Sequence, residues 1–387
     1  MTADRRMYLD LPTPTALVDL DRLEANLARM QAYADAHGLA LRPHTKTHKA
    51  RWLAEEQVRR GAAGVTVATP VEAGLMSGAS PELLVAYPAL GPRAQAIAAV
   101  AEGTPTLVGL DSVAAVRELA RAMDGTGETV GVLVEVDVGM HRCGVSDAAT
   151  AVEVARACGD GVVYRGVMFY PGHIRQRVDR QDAALEALTR DLDGIVRALE
   201  EAGLAPAIVS GGSTPTAFRS HEVPGQTEIR PGTYVFNDRT TAAIGACARD
   251  DCAYTILATV VSTAVPGQAV VDAGSKALSS DPLRAEDGGG FGELLDRPDV
   301  RVARLSEEHG VLDLSRTEWR PSVGERVRII PNHVCVSVNL QTDVHGVRGE
   351  RVERSWAPEA RGWGAPGPLT GSAGAPSIRP ARPGDRG

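Results

Sequence analysis

Two histidines, two lysines and a proline fall within residues 43 to 49, in the stretch ALRPHTKTHK, where a short apolar run ends. The chain holds only three lysines, Lys46, Lys49 and Lys276, among 41 lysines and arginines. Two of them beside histidines at a strand end are therefore a poor match to general solubilising charge, although a charged surface loop is the competing reading. A buried lysine among cationic neighbours gives up its proton readily, which an imine-forming amine requires. Lys46 is thus the candidate Schiff-base lysine.

A second stretch, VSGGSTPT at 209 to 216, is a strand that breaks into glycines and hydroxyls. Glycines let backbone N–H groups approach an anion, hydroxyls add donors, and a phosphate could sit at the helix start that follows. Many strand-to-helix turns look similar, so its place matters more: an early lysine and a late anion loop come face to face only if the sheet closes. A third stretch, IIPNHVCVSVNL, puts His333 and Cys335 at i and i+2 on an apparent strand. Alternation would turn both side chains to one face, where imidazole and thiolate could share a soft divalent cation such as zinc. The alternative is a core cysteine beside a satisfied histidine. At other strand ends, Arg142 could face a cofactor ring, Tyr170 and His173 could line a pocket, and Tyr234 could hold a phosphate or ring oxygen. Glu307, Glu308 and His309 in SEEHG are further possible ligands.

These residues need a frame. Apolar β-branched runs recur at 15–20, 65–69, 83–88, 106–111, 130–138, 162–170 and 207–212, with helical patterns between them, including 112–123 and 179–202. Leu23, Leu27, Met30 and Tyr33 keep helical spacing, Asp21 with Glu24 forms a capping-box pattern, and Gly38 stands where that helix should stop. Continuous strand hydrophobicity with intervening helices indicates a parallel sheet covered outside by helices. A (β/α)8 barrel is the economical arrangement, and an open doubly wound sheet is the alternative. After about residue 250 the runs become short, β-rich and separated by turns, which predicts a C-terminal all-β domain. The expected boundaries are 12–250 for the barrel and 251–357 for the β domain, which N-terminal residues can join. A Gly-rich loop is expected over 281–298 and a disordered Pro/Gly/Ala/Ser tail over 362–387.

Length and composition fit a soluble globular chain. Its 387 residues are 43% hydrophobic and 23% charged, with net charge -8. An acidic balance without a basic, aromatic-interleaved stripe argues against nucleic acid, and the absence of a long apolar run argues against a membrane span. MTADRRMYLD lacks the apolar core of a secretory signal, so a cytoplasmic location is expected. Five cysteines without a C-x-x-C pair do not make a disulfide framework; four are expected to be structural.

In order along the chain, RPHTKTHK, DVGMHRCGV, VSGGSTPT, RPGTYVFND, DAGSKALSSD, SEEHG and PNHVC resemble the family of D-threonine aldolases and zinc-dependent D-serine dehydratases. These are fold-type III pyridoxal phosphate enzymes with an alanine-racemase-like barrel followed by a β domain. The resemblance implies Lys46 as the Schiff-base lysine and phosphate contacts from Gly211, Gly212, Ser213 and Thr214. It further implies Arg142, Tyr170 and Tyr234 near the cofactor, His173 in the pocket, and a divalent metal on His333 and Cys335, zinc first with manganese or magnesium as alternatives. YPGH departs from the family's aldolase pattern around His173. Cys335 and GSTPT are dehydratase-like, whereas DVGMHRCGV and VNLQTD are aldolase-like. The activity implied is β-elimination from a D-3-hydroxy-amino acid, with retro-aldol cleavage as the alternative and racemization or non-catalytic cofactor carriage behind both. A homodimer is implied too.

Overall fold

The first apolar run does not enter the barrel. The computed structural model describes residues 6–283 and 289–361, and its first strand, β1 (Thr15–Asp19), leads into helix α1 (Leu20–Ala36). The cap of that helix is Asp19, whose carboxylate accepts from the N–H groups of Asp21 and Arg22, so the expected Asp21 box lies two residues too late. Gly38 follows the helix with φ of 65°, as a C-terminal glycine should.

Eight parallel strands come next: β2 (Ala40–Leu41), β3 (Val65–Val67), β4 (Leu83–Val85), β5 (Thr106–Leu110), β6 (Val130–Val136), β7 (Val162–Phe169), β8 (Ile208–Gly211) and β9 (Glu228–Ile229). Helices α2 (Arg51–Arg59), α3 (Pro70–Met76), α4 (Pro92–Ala101), α5 (Val113–Met123), α6 (Ala148–Arg156) and α7 (Asp182–Glu201) alternate with them. The sheet order is β2-β9-β8-β7-β6-β5-β4-β3. Its two ends meet where the Thr66 N–H donates to the Pro43 carbonyl and the Ala63 N–H to the Leu41 carbonyl, both at 2.8 Å. The sheet is therefore a (β/α)8 barrel rather than an open doubly wound sheet. Strands buried on both faces explain the continuous apolar runs: one core lies between strands and helices, and Leu84, Leu107, Leu133 and Met168 plug part of the interior.

A short helix α8 (Arg239–Ala243) leads into β10 (Tyr254–Ser262), β11 (Gln268–Val271), helix α9 (Ser275–Leu278), β12 (Gly292–Leu294), β13 (Arg301–Leu305), β14 (Gly310–Asp313) and β15 (Arg326–Pro331). Helix α10 (Val334–Leu340) and the hairpin β16 (Val344–Arg348) and β17 (Arg351–Trp356) complete this part. With β1 they form one sheet of order β11-β14-β13-β12-β15-β10-β1-β16-β17, which also joins β11 to β10. Two details differ from expectation. Strand β12 lies inside the stretch read as a Gly-rich loop, and VCVSVNL is helix, not strand. Its Val334, Ser337 and Val338 are buried at i, i+3 and i+4, while the Val334 N–H donates to Asp238 at 3.1 Å; this packing overrides β-branched propensity. The tail expected at 362–387 lies outside the described residues.

The other part of the barrel interior is polar. Arg42, directly after β2, donates to Glu228 of β9 at 2.8 Å and, on its other side, to Glu82 at 2.7 Å. Glu228 also accepts from the Ser210 hydroxyl at 2.5 Å, and that oxygen accepts from Arg230 at 2.6 Å. Strands β2 and β9 share only two register pairs, so this buried pair reinforces the join between first and last strands. Removing one partner leaves a buried carboxylate unpaired. Arg42→Ala is expected to cost about 3 to 5 kcal/mol, read from denaturant midpoints; a loss below about 1 kcal/mol would assign the pair no structural weight.

Candidate active site

Lys46 owes its position to the turn after β2. Thr45–Thr47 form one 3-10 turn, in which the Lys46 N–H donates to His44 Nδ1 at 3.4 Å and the Thr45 hydroxyl donates to the Thr66 carbonyl at 3.1 Å. The lysine then reaches a cavity of about 430 Å³, with Nζ 5.5 Å from the Tyr170 ring centroid. The other two lysines are engaged elsewhere. Lys49 donates to Glu72 at 2.7 Å and to the Ala360 carbonyl at 2.9 Å. Lys276 pairs at the surface with Glu307 and Glu308.

The loop after β8 forms the neighbouring wall through Gly212, Ser213 and Thr214. Gly212 has φ of 86°, and a side chain at Gly211 would be driven into the ring of Phe169, so this path needs both glycines. Ser213 caps the 3-10 helix Thr214–Glu222, and its N–H donates to Thr216 at 3.2 Å. In the ring order β2-β9-β8, Lys46 and this loop are two strands apart. They are near neighbours around the mouth rather than face to face, and Arg230 and Gly232 after β9 lie between them.

Cations dominate the walls. Arg142 lies 5.2 Å from the Tyr170 ring centroid, and Arg230 donates to the Phe169 carbonyl at 2.8 Å. Burial pulls Arg230 down to about 10, with Glu228 and Glu135 opposing, so it stays charged at neutral pH. Glu135 is the acidic member: burial raises its pKa, and the Cys143 thiol donates to it at 3.4 Å. His44 is held neutral by burial and by Lys46 and Arg230. An amine, a glycine-and-hydroxyl cradle and cationic walls around an apolar-sided cavity suit a phosphate-bearing aromatic cofactor.

A smaller cavity of about 180 Å³ shares Tyr170, Ser213, Pro215 and Thr233 with the first and reaches His333. His333 and Cys335 do come together, though as the N-cap and second residue of α10 rather than by strand alternation. Burial opposes the charge of His333, but the Cys335 thiolate and Asp238 raise its pKa to about 11. Burial likewise opposes ionization of Cys335, and His333 outweighs it and lowers the thiol. Thr47 lies 3.2 Å from the sulfur, and Asp238 lies 3.5 Å from His333 Nδ1. A nitrogen and a thiolate suit a soft divalent ion. Among the described residues, no group of three or more His, Cys, Asp or Glu is placed to hold a metal.

Three expected residues are not at the cavity surface. Tyr234 turns its hydroxyl to Gln57 at 2.9 Å, and only its backbone N–H reaches Thr214, at 3.1 Å. Gly211 lies behind Gly212. His173 packs under Gly139, with a buried Nδ1 that has no partner among the described residues, and burial lowers its pKa. Conversely, Glu135, Arg230, Cys143 and Asp238 were missed. A glutamate interrupting VGVLVEVDV and an arginine ending the run EIR were the available signals.

Residues 18–240 match the family of the alanine racemase N-terminal domain, and residues 253–347 match the putative serine dehydratase domain. The chain belongs to the fold-type III pyridoxal phosphate enzymes that join these two domains. It is 36% identical over 352 residues to the D-threo-3-hydroxyaspartate dehydratase of Delftia sp. strain HT23, covering 85% of this chain and 92% of that protein. The solved structure of that dehydratase aligns with a TM-score of 0.85 at 33% identity, covering 93% of this chain and 100% of that one. Identity is 32% over 361 residues to the D-threonine aldolase of Arthrobacter sp., covering 91% and 93%. The D-threonine aldolase structure from Filomicrobium marinum gives 0.84 at 33% identity, covering 93% and 98%. A histidine-to-alanine form of the D-threo-3-hydroxyaspartate dehydratase has been solved, as has a metal-free cysteine-to-alanine form altered two positions further on. The chain is therefore a pyridoxal phosphate-dependent lyase, and the non-catalytic single-barrel carrier is excluded.

The buried imidazoles make a pH prediction. His48 donates from Nε2 to Gln57 at 3.3 Å, and burial lowers its pKa to about 4. Unfolding frees it to take up a proton that the folded state refuses, so stability is full above about 6.5 and falls as pH drops towards 4, by up to about 1.4 kcal/mol per pH unit. His48→Gln should flatten this slope in denaturant midpoints measured from pH 7 to 4; an unchanged slope would mean that His48 does not contribute.

Proposed function

We propose that the enzyme eliminates water from a D-3-hydroxy-amino acid to give a 2-oxo acid and ammonia. The observation that carries this reading is the joined pair of cavities, with the Lys46 amine in one and the His333–Cys335 pair at the other. Pyridoxal phosphate would supply the sink for the electrons released at the α-carbon. Lys46 Nζ takes the α-proton, and its turn is held in place by neutral His44. Gly212, Ser213 and Thr214 bind the phosphate, and Arg142 and Arg230 balance negative charge. His333 and Cys335 would hold a divalent metal, zinc by the softness of the pair, which would supply Lewis acidity at the 3-hydroxyl. Asp238 fixes the His333 ring through Nδ1, which leaves Nε2 for the ion. The 3-hydroxyl leaves as water, and hydrolysis of the resulting enamine's imine form releases 2-oxo acid and ammonia.

Retro-aldol cleavage uses the same groups and differs in the bond broken, Cα–Cβ, with glycine and an aldehyde as products. Cys335 supports elimination, because thiolate ligation is the dehydratase-like feature of the motif. A cytoplasmic homodimer belongs to the same reading, and sedimentation velocity at working concentration checks its oligomeric part.

Incubating the cofactor- and zinc-loaded enzyme with D-serine, D-threonine and both 3-hydroxy-D-aspartates should yield 2-oxo acid with ammonia; glycine with aldehyde would instead establish cleavage. Asp238→Asn should weaken metal binding about 10- to 100-fold in a chelator competition while the cofactor absorbance persists. Unchanged affinity would remove Asp238 from the metal site.

A further inference from the structure

The smaller cavity is lined by an exposed arginine that has no ion pair among the described residues. Arg175 lies in the turn after β7, where the Ile174 N–H closes onto the Pro171 carbonyl at 3.1 Å. Its Nε donates to the Gly172 carbonyl at 2.8 Å, and the side chain lines the cavity. The acids on the same wall are occupied. Asp238 accepts from the Thr241 N–H at 2.8 Å and the Val334 N–H at 3.1 Å, and it also faces His333. Asp281 accepts from the Ser279 hydroxyl at 2.9 Å. Thr240 spends its hydroxyl on the Asn332 carbonyl at 2.6 Å.

The proposed chemistry dictates what enters this space. A 3-hydroxyl directed at His333 and Cys335 brings the third carbon to the junction of the cavities, so any further group on that carbon continues into the 180 Å³ that Arg175 lines. A hydrogen or methyl group would leave the fork unanswered, whereas a carboxylate can accept two parallel N–H bonds from it. We propose that Arg175 is a specificity-determining residue that binds a carboxylate on the substrate's third carbon, making the preferred substrate a D-3-hydroxy dicarboxylic amino acid. This rests on the metal-side orientation given under Proposed function.

The full-length, cofactor- and metal-loaded enzyme is assayed by substrate depletion with 3-hydroxy-D-aspartate and D-threonine, as wild type, Arg175→Gln and Arg175→Lys. The wild type should favour the dicarboxylate. Arg175→Gln should lower the ratio of the two kcat/KM values about 10- to 100-fold, and Arg175→Lys should restore part of it. An equal loss on both substrates, or a wild type that favours D-threonine, would overturn the assignment. Depletion is blind to product, so finding glycine would end the elimination reading and leave this one standing. Titration with 2-hydroxysuccinate, which has no amine to react, adds a readout independent of turnover: binding weakened about tenfold in Arg175→Gln supports the role, and unchanged binding contradicts it.

Discussion

Everything chemical in this molecule depends on joining the first barrel strand to the last. Strand β2 and strand β9 are two residues each, too short for their ladder alone to hold a ring closed. Arg42 reaches to both sides of β2, to Glu228 and to Glu82, and links that seam to Ser210 and Arg230. Because β9 and β8 follow β2 around the ring, the Lys46 turn, the Arg230–Gly232 segment and the Gly212–Thr214 loop form one continuous arc. Charged groups buried in the lower barrel thus determine where an amine and an anion cradle stand at its mouth.

His333 and Cys335 come from a different part of the chain, yet they depend on the same arc. Asp238, shortly after β9, caps α8, accepts from the first N–H of α10 and faces His333. Thr47, next to the lysine, and Thr233 both approach the Cys335 sulfur, at 3.2 and 3.7 Å. The barrel and the β-rich part therefore meet at Cys335, whose ionization burial opposes and His333 favours. Its ionization depends on His333, and the position of His333 depends on an acid from the barrel side.

Much of this was legible in the sequence, for reasons that can be named. Strands such as β5 and β6 are buried on both faces and read as unbroken apolar runs, and three lysines in the chain made Lys46 conspicuous. Strands β2 and β9 carry almost no periodic signal, being so short. Helix α10 was misread because Val, Cys and Val favour strands locally, whereas burial of every third and fourth residue against the β-rich part decided for helix. Tyr234 and His173 stand in the right motifs but point elsewhere, since motif order reports which turn a residue occupies and not where its side chain goes. The pairing of Glu135 with Cys143 and of Asp238 with α10 is a product of tertiary contacts with no counterpart in spacing.

We propose that barrel closure makes Lys46 the lysine that carries the cofactor. Borohydride reduction of the pyridoxal phosphate-loaded enzyme, followed by proteolysis and mass spectrometry, tests it directly. The reduced pyridoxyl group is expected on Lys46, with Lys49 and Lys276 unmodified at one equivalent of cofactor. Modification at Lys49 or Lys276 instead would contradict it.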